Sequence, residues 1–225
     1  MKKILVICFD FDGTVIPDSE QCKQDAWRTL FPGEEGERLI LEAHDRFGGG
    51  KGSRFDILGY ILTARGVARS ALDSEVKKVA SDFDNAVQKG IIALGVPLET
   101  REALEGFSSL GYHLALNTAT PTEAIKRTTD ALGISRYFRE ILGFESYMGA
   151  PPKKVDNLKR LLETGLAPSP EDVLFVGDSD GDYKAAQDFG CYFVGFANAL
   201  NQWDKVMKPF PVVRDLRRIL DVTMS

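Results

Sequence analysis

The run Ile4-Leu5-Val6-Ile7-Cys8-Phe9 ends directly in Asp10-Phe11-Asp12-Gly13-Thr14. Consecutive apolar residues bounded by turn formers read as a strand buried on both faces, as in a parallel sheet covered by helices. A carboxylate directly after such a strand sits at its carboxyl end, the edge of an open α/β sheet where ligands bind. Asp10 and Asp12 are one residue apart, so an extended chain would aim both side chains to one side. Asp-Gly is also a common turn dipeptide, but a turn has no need of Asp10.

Further apolar runs read as strands at His113 to Leu116, Arg139 to Phe144, Val173 to Val176 and Tyr192 to Phe196. Helical patterns separate them: Glu102 to Leu110, Thr122 to Leu132, Val155 to Glu163 and Asp182 to Phe189. Strand alternating with helix predicts an α/β fold with a mostly parallel sheet. Val212 to Val222 carries apolar residues at helical spacing, with Arg214, Arg217 and Arg218 on a solvated face. Between Ile16 and about Gly90 the pattern changes and no strand-like run appears. Helices are expected at Ser19 to Leu30, Glu34 to Phe47, Arg54 to Ala64 and Ser74 to Lys89. Ser53 is a natural N-cap for the third, and Val76, Val79, Phe83 and Ala86 form the apolar stripe of the fourth. The expected organisation is a core of residues 1–15 and 91–225, interrupted by an all-helical domain of residues 16–90.

Composition narrows the function. The 225 residues are 44% hydrophobic and 27% charged, with a net charge of -5. No basic stripe suggests nucleic acid or a membrane surface, and no segment approaches the ~18 apolar residues of a membrane span. Lys2 and Lys3 before a short apolar run only faintly resemble a secretion signal. The three cysteines, Cys8, Cys22 and Cys191, form no disulfide framework and fit a reducing, cytoplasmic setting. His44 and His113 are far apart and have no companion ligands for zinc.

Three more features align with the first. Asn117-Thr118 follows one strand, Lys153-Lys154 precedes a helix, and Gly177-Asp178-Ser179-Asp180-Gly181-Asp182 follows another strand. With Asp10-Phe11-Asp12-Gly13-Thr14, these are the four motifs of the haloacid dehalogenase superfamily in order, and the chain resembles that superfamily over its whole length. The insert resembles the helical cap of the phosphoglycolate phosphatase-like and β-phosphoglucomutase-like branch. The resemblance implies a Rossmann-like core and Mg2+-dependent hydrolysis of a small phosphate monoester, phosphoglycolate-like or a sugar phosphate. Asp10 would be the nucleophile that forms an aspartyl-phosphate, and Asp12 the general acid and then base. Asp10, Asp178 and the Asp12 carbonyl would hold Mg2+, with Asp182 and Ser179 supporting them from behind. Thr118 would donate to the phosphoryl group, and Gly13, Thr14 and Asn117 would help bind it. Members that cleave carbon–halogen bonds lack a carboxylate at the Asp12 position, so its presence favours phosphoryl transfer.

Either lysine could neutralise charge beside Asp10. Lys154 matches branches whose lysine opens the helix, while Lys153 matches the spacing to Asp178 of others; Lys154 is preferred. Gly48-Gly49-Gly50-Lys51-Gly52-Ser53 is not a nucleotide phosphate loop, because Gly52 stands where Ser or Thr is required. It reads as a cap loop, with Arg46, Lys51 and Arg54 available for an anionic part of the substrate. Alternatives are a phosphomutase, a phosphonoacetaldehyde hydrolase-like enzyme using Lys51 as a Schiff base, and a non-catalytic metal- or partner-binding protein. A monomer or homodimer is expected.

Overall fold

The computed structural model describes residues 4–48, 51–144 and 153–223. Lys2, Lys3, Gly49 and Gly50, singled out above, lie outside the described residues. The chain divides into two compact units. One comprises the described residues up to Ser19 and from Leu94 onward; the other comprises those of Glu20–Ala93.

The first unit is built on a parallel sheet. Its strands are β1 (Val6–Phe9), β2 (His113–Pro121), β3 (Phe138–Phe144), β4 (Val173–Gly177), β5 (Tyr192–Phe196) and β6 (Val212–Val213), in the spatial order β3-β2-β1-β4-β5-β6. Every pairing is parallel. The central strands β1 and β4 are buried at every position, which is why their sequences run apolar without alternation. The register sets the site: Phe9 lies level with Leu116 on one side and Val176 on the other. The residues that follow, Asp10, Asn117 and Gly177, therefore line up at the carboxyl ends of these strands. Beyond Asn117 the β2–β3 ladder breaks register before resuming at Pro121 and Phe144. Cys8 and Cys191 belong to the core beneath these strand ends. Burial pushes the Cys8 thiol well above its ordinary range and that of Cys191 up to about 12, so both remain neutral packing groups.

Helices α5 (Leu98–Ser109), α6 (Thr122–Ala131), α7 (Lys154–Glu163) and α8 (Asp180–Phe189) make the crossovers. The closing stretch corrects one expectation. Val212 to Val222 is not one helix: Val212 and Val213 add a short strand opposite Gly195 and Phe196. Asp215, whose carboxylate accepts from the Arg217 amide, then caps a 3-10 turn over Leu216–Arg218, and the α-helical part is confined to Ile219–Thr223. β-Branched valines beside an open sheet edge outweigh helical periodicity there. Arg217 is held by Asp215 and Glu102 rather than simply solvated.

The second unit holds α1 (Ser19–Leu30), α2 (Gly33–Phe47), α3 (Arg54–Ala64) and α4 (Leu72–Leu94). Trp27, 6% exposed, stacks near Phe31 and lies 4.5 Å from the Phe83 ring. The buried stripe of α4 is Val76, Ala80, Phe83, Val87 and Ile91; Val79 and Ala86 flank it. The helix is longer than expected, so its mean phase is set over more turns. Ser53 does cap α3: its hydroxyl accepts from the Asp56 amide while the Asp56 carboxylate accepts from the Ser53 amide. Ser53→Ala is expected to cost about 1 kcal/mol, read as a lower urea midpoint; an unchanged midpoint would refute the cap's contribution. No helix among the described residues is long and apolar enough to cross a membrane.

Candidate active site

Asp10 leaves β1 with its amide donating to the Val176 carbonyl at 2.8 Å. The chain then turns instead of running on extended: the Ile16 amide returns to the Phe11 carbonyl at 3.1 Å, and the Gly13 amide donates to the Ser19 hydroxyl at 3.0 Å. Asp10 and Asp12 are both buried. Gly13 sits at φ +77°, and a Cβ there would overlap the Asp178 carboxylate. Only glycine permits both the left-handed turn and that close approach. Thr14, wholly buried, points its hydroxyl toward Asp178 at 3.5 Å.

The two candidate lysines separate cleanly. Lys154 opens α7 and its Nζ lies 2.7 Å from Asp10 Oδ1 and 2.6 Å from Asp182 Oδ1. Lys153 occupies the N-cap position and is exposed. Asn117 fixes the start of α7. Its Nδ2 donates to the Lys154 carbonyl at 2.9 Å, and its Oδ1 accepts from Asn157 at 3.1 Å. Both ends of this amide, expected among the phosphate binders, thus hold the lysine helix. Thr118, 1% exposed, accepts from the Thr120 amide at 3.1 Å, which leaves its O–H to donate elsewhere. The Thr120 hydroxyl donates to Asp12 Oδ2 at 3.3 Å.

The loop after β4 becomes the first turn of α8. Ser179 and Asp182 form a reciprocal capping box, so Asp182 Oδ2 is held by Ser179 while its Oδ1 faces Lys154. Gly177 is required by closeness: a Cβ there would lie 2.5 Å from that of Asp182. The sequence reading missed two asparagines after β5. Asn198 donates to Asp178 Oδ2 at 2.7 Å and to the Gly13 carbonyl at 3.0 Å. Asn201 donates to the Asp178 carbonyl at 2.8 Å. The available signal was their place just beyond a strand's carboxyl end.

The electrostatics are those of a site short of positive charge. Burial pushes the Asp10 carboxyl well above its ordinary range; Lys154 opposes this, while Asp182, Asp178 and Asp12 add to it. Burial would push the Lys154 ammonium down, but Asp10 and Asp182 outweigh that and hold it above its ordinary range. Carboxylate oxygens of Asp10, Asp178 and Asp182 lie within 4.8 Å of one another. Clustered hard oxygens with surplus negative charge fit a hard cation such as Mg2+, which takes one or two carboxylates. Asp182 has both oxygens engaged, Oδ2 with Ser179 and Oδ1 with Lys154, and Asp10 faces the same ammonium with its Oδ1.

In the helical unit, Arg54 pairs with Asp84 at 2.5 and 3.1 Å. Lys51 donates to the Asp45 carbonyl at 2.9 Å. Arg46 lies over the Phe47 and Tyr60 rings at 5.4 and 5.8 Å.

Fold and site together define an α/β protein with a carboxylate centre at the carboxyl ends of its parallel strands. The family model for haloacid dehalogenase-like hydrolases matches residues 4–190, and the chain belongs to that family. It is an enzyme, a hydrolase of the phosphatase branch. It is 30% identical to a phosphoglycolate phosphatase of Vibrio vulnificus, across 99% of this chain and 97% of the relative. A predicted phosphoglycolate phosphatase from Haemophilus somnus shares the fold with TM-score 0.71, at 24% identity over 99% of each chain. So does a β-phosphoglucomutase from Clostridium difficile, with TM-score 0.66 at 22% identity over 96% of this chain and 93% of that one.

Proposed function

We propose that this enzyme is a Mg2+-dependent phosphatase that hydrolyses a small phosphate monoester through a phosphoryl group carried on Asp10, with phosphoglycolate the leading substrate. The observation that carries the reading is Lys154 bridging Asp10 and Asp182 at the carboxyl ends of the strands. A carboxylate facing a phosphate dianion needs fixed positive charge and a fixed direction, and the lysine supplies both. An Asp10 oxygen attacks phosphorus, and the bond from phosphorus to the ester oxygen breaks. The protonated Asp12 carboxyl gives its proton to that departing oxygen. Thr120 keeps Asp12 oriented for this transfer. Asp12, now ionised, takes a proton from water as the water oxygen attacks phosphorus. Asp10 then departs as carboxylate, leaving inorganic phosphate. Thr118 donates to the phosphoryl oxygens, and Thr14 and the Gly13 turn support the Asp178 carboxylate beside it. Mg2+ held by Asp10, Asp178 and the Asp12 carbonyl would offset the charge of the approaching anions.

Phosphoglycolate is suggested by the full-length relative at 30% identity. The test is phosphate release from phosphoglycolate, sugar phosphates and an aryl phosphate, with Mg2+ and with EDTA. The expected result is release that needs Mg2+ and is fastest for phosphoglycolate. Equal release in EDTA refutes the metal; no release from any ester by folded protein refutes the phosphatase.

A further inference from the structure

We propose that Asn198 sets the orientation of Asp178 and, through it, which divalent cation the centre accepts. The inference rests on the reading of this centre as a Mg2+ site. Asn198 is 6% exposed and every polar atom of its amide is engaged. Nδ2 donates to Asp178 Oδ2 at 2.7 Å and to the Gly13 carbonyl at 3.0 Å. Oδ1 accepts from the Leu200 and Asn201 amides at 2.9 and 3.0 Å. The amide cannot flip, because reversal would set its oxygen against a carboxylate and a carbonyl. Asn201 braces the same aspartate from its main chain, donating to the Asp178 and Phe196 carbonyls at 2.8 and 2.9 Å. Its own Oδ1 receives the Asn198 and Trp203 amides.

Asn198 thereby links the turn that carries Asp10 and Asp12 to the carboxylate of Asp178. The N–H held on Oδ2 at 2.7 Å competes with a cation for that oxygen more strongly than the Thr14 hydroxyl, at 3.5 Å, competes for Oδ1, which biases Asp178 toward one-oxygen ligation. Mg2+ takes a small octahedral shell and is content with single oxygens; Ca2+ takes six to eight ligands and readily uses both oxygens of a carboxylate. Asn198 thus biases the centre toward Mg2+ and against Ca2+. A hydroxyl could not span both acceptors, and a carboxylate would repel Asp178. Asn198 is a positioning residue; it acts through Asp178.

The test is calorimetric titration of Mg2+ and of Ca2+ into the full chain, for wild type, Asn198→Ala and Asn198→Asp. The aspartate is isosteric and keeps the acceptor for the Leu200 and Asn201 amides while removing the donor, so it serves should the alanine variant fail to fold. Mg2+ affinity is expected to fall about tenfold in Asn198→Ala, with Ca2+ losing less. The Mg2+ to Ca2+ affinity ratio is expected to fall about fivefold or more in both variants. A residue that only ties down its loop would lower the melting temperature of the metal-free protein and leave that ratio alone. A ratio within about twofold of wild type overturns the proposal. Wild-type protein that takes up no Mg2+ refutes the metal reading itself, a result separate from equal preference in all three proteins.

Discussion

Asp10→Asn is expected to lower Mg2+-dependent phosphate release by about four orders of magnitude or more. The amide has the carboxylate's shape but not its nucleophilicity, so the loss falls on chemistry and not on folding. The substitution also removes charge from a buried group whose ionisation is opposed by burial and by Asp182, Asp178 and Asp12. The metal-free variant is therefore expected to melt at or above the wild-type temperature. Initial rates with saturating ester, beside a thermal melt, measure both effects. A variant retaining a tenth of wild-type turnover would sink Asp10 as the attacking group.

Lys154→Ala is expected to act on two levels, because the ammonium faces two buried carboxylates at 2.7 and 2.6 Å. Removing one partner of a buried ion pair costs about 3–5 kcal/mol, since the charge left behind has no compensation. Turnover should fall by a further factor of about a hundred to a thousand, the usual loss of a group that faces developing charge. Lys153→Ala, one position earlier and exposed, should change stability by no more than about 0.5 kcal/mol and leave turnover near wild type. Urea unfolding and kcat for the pair of variants make the comparison. A larger loss at Lys153 would reverse the assignment.

That lysine pair shows where sequence reasoning stops. Lys153 and Lys154 differ by one residue, which on a helix start is a rotation of about 100°. Local sequence names both; the phase of α7, fixed by Asn117 of β2 through the Lys154 carbonyl and the Asn157 side chain, separates them. The carboxylates were readable because each follows an apolar run, and burial of a strand forces such a run. Asn198 was not. Asn-Ala-Leu-Asn looks like any turn, and one of its partners, Gly13, lies 185 positions away. The tail beyond Val212 misled for a related reason: its apolar spacing fits a helix, while the vacant sheet edge beside β5 that takes Val212 and Val213 exists only in three dimensions. Asn117, which the resemblance gave to the phosphoryl group, has its side-chain amide engaged with the lysine helix.

The place of β1 in the sheet has a consequence for the order in which the chain is made. β1 is synthesised first yet lies between β2 and β4. A ribosome adding about 5–20 residues per second needs roughly ten to thirty seconds to pass from Phe9 to the end of β4. Throughout that interval Val6–Phe9 has no neighbour on its β4 side, and the helices that emerge first belong to the other unit. The nascent chain thus carries a wholly apolar strand unpaired on that side until β4 has been translated. Holding that strand apart during synthesis is a task for a chaperone or for dilution, and it tells on yield before it tells on the stability of the finished enzyme.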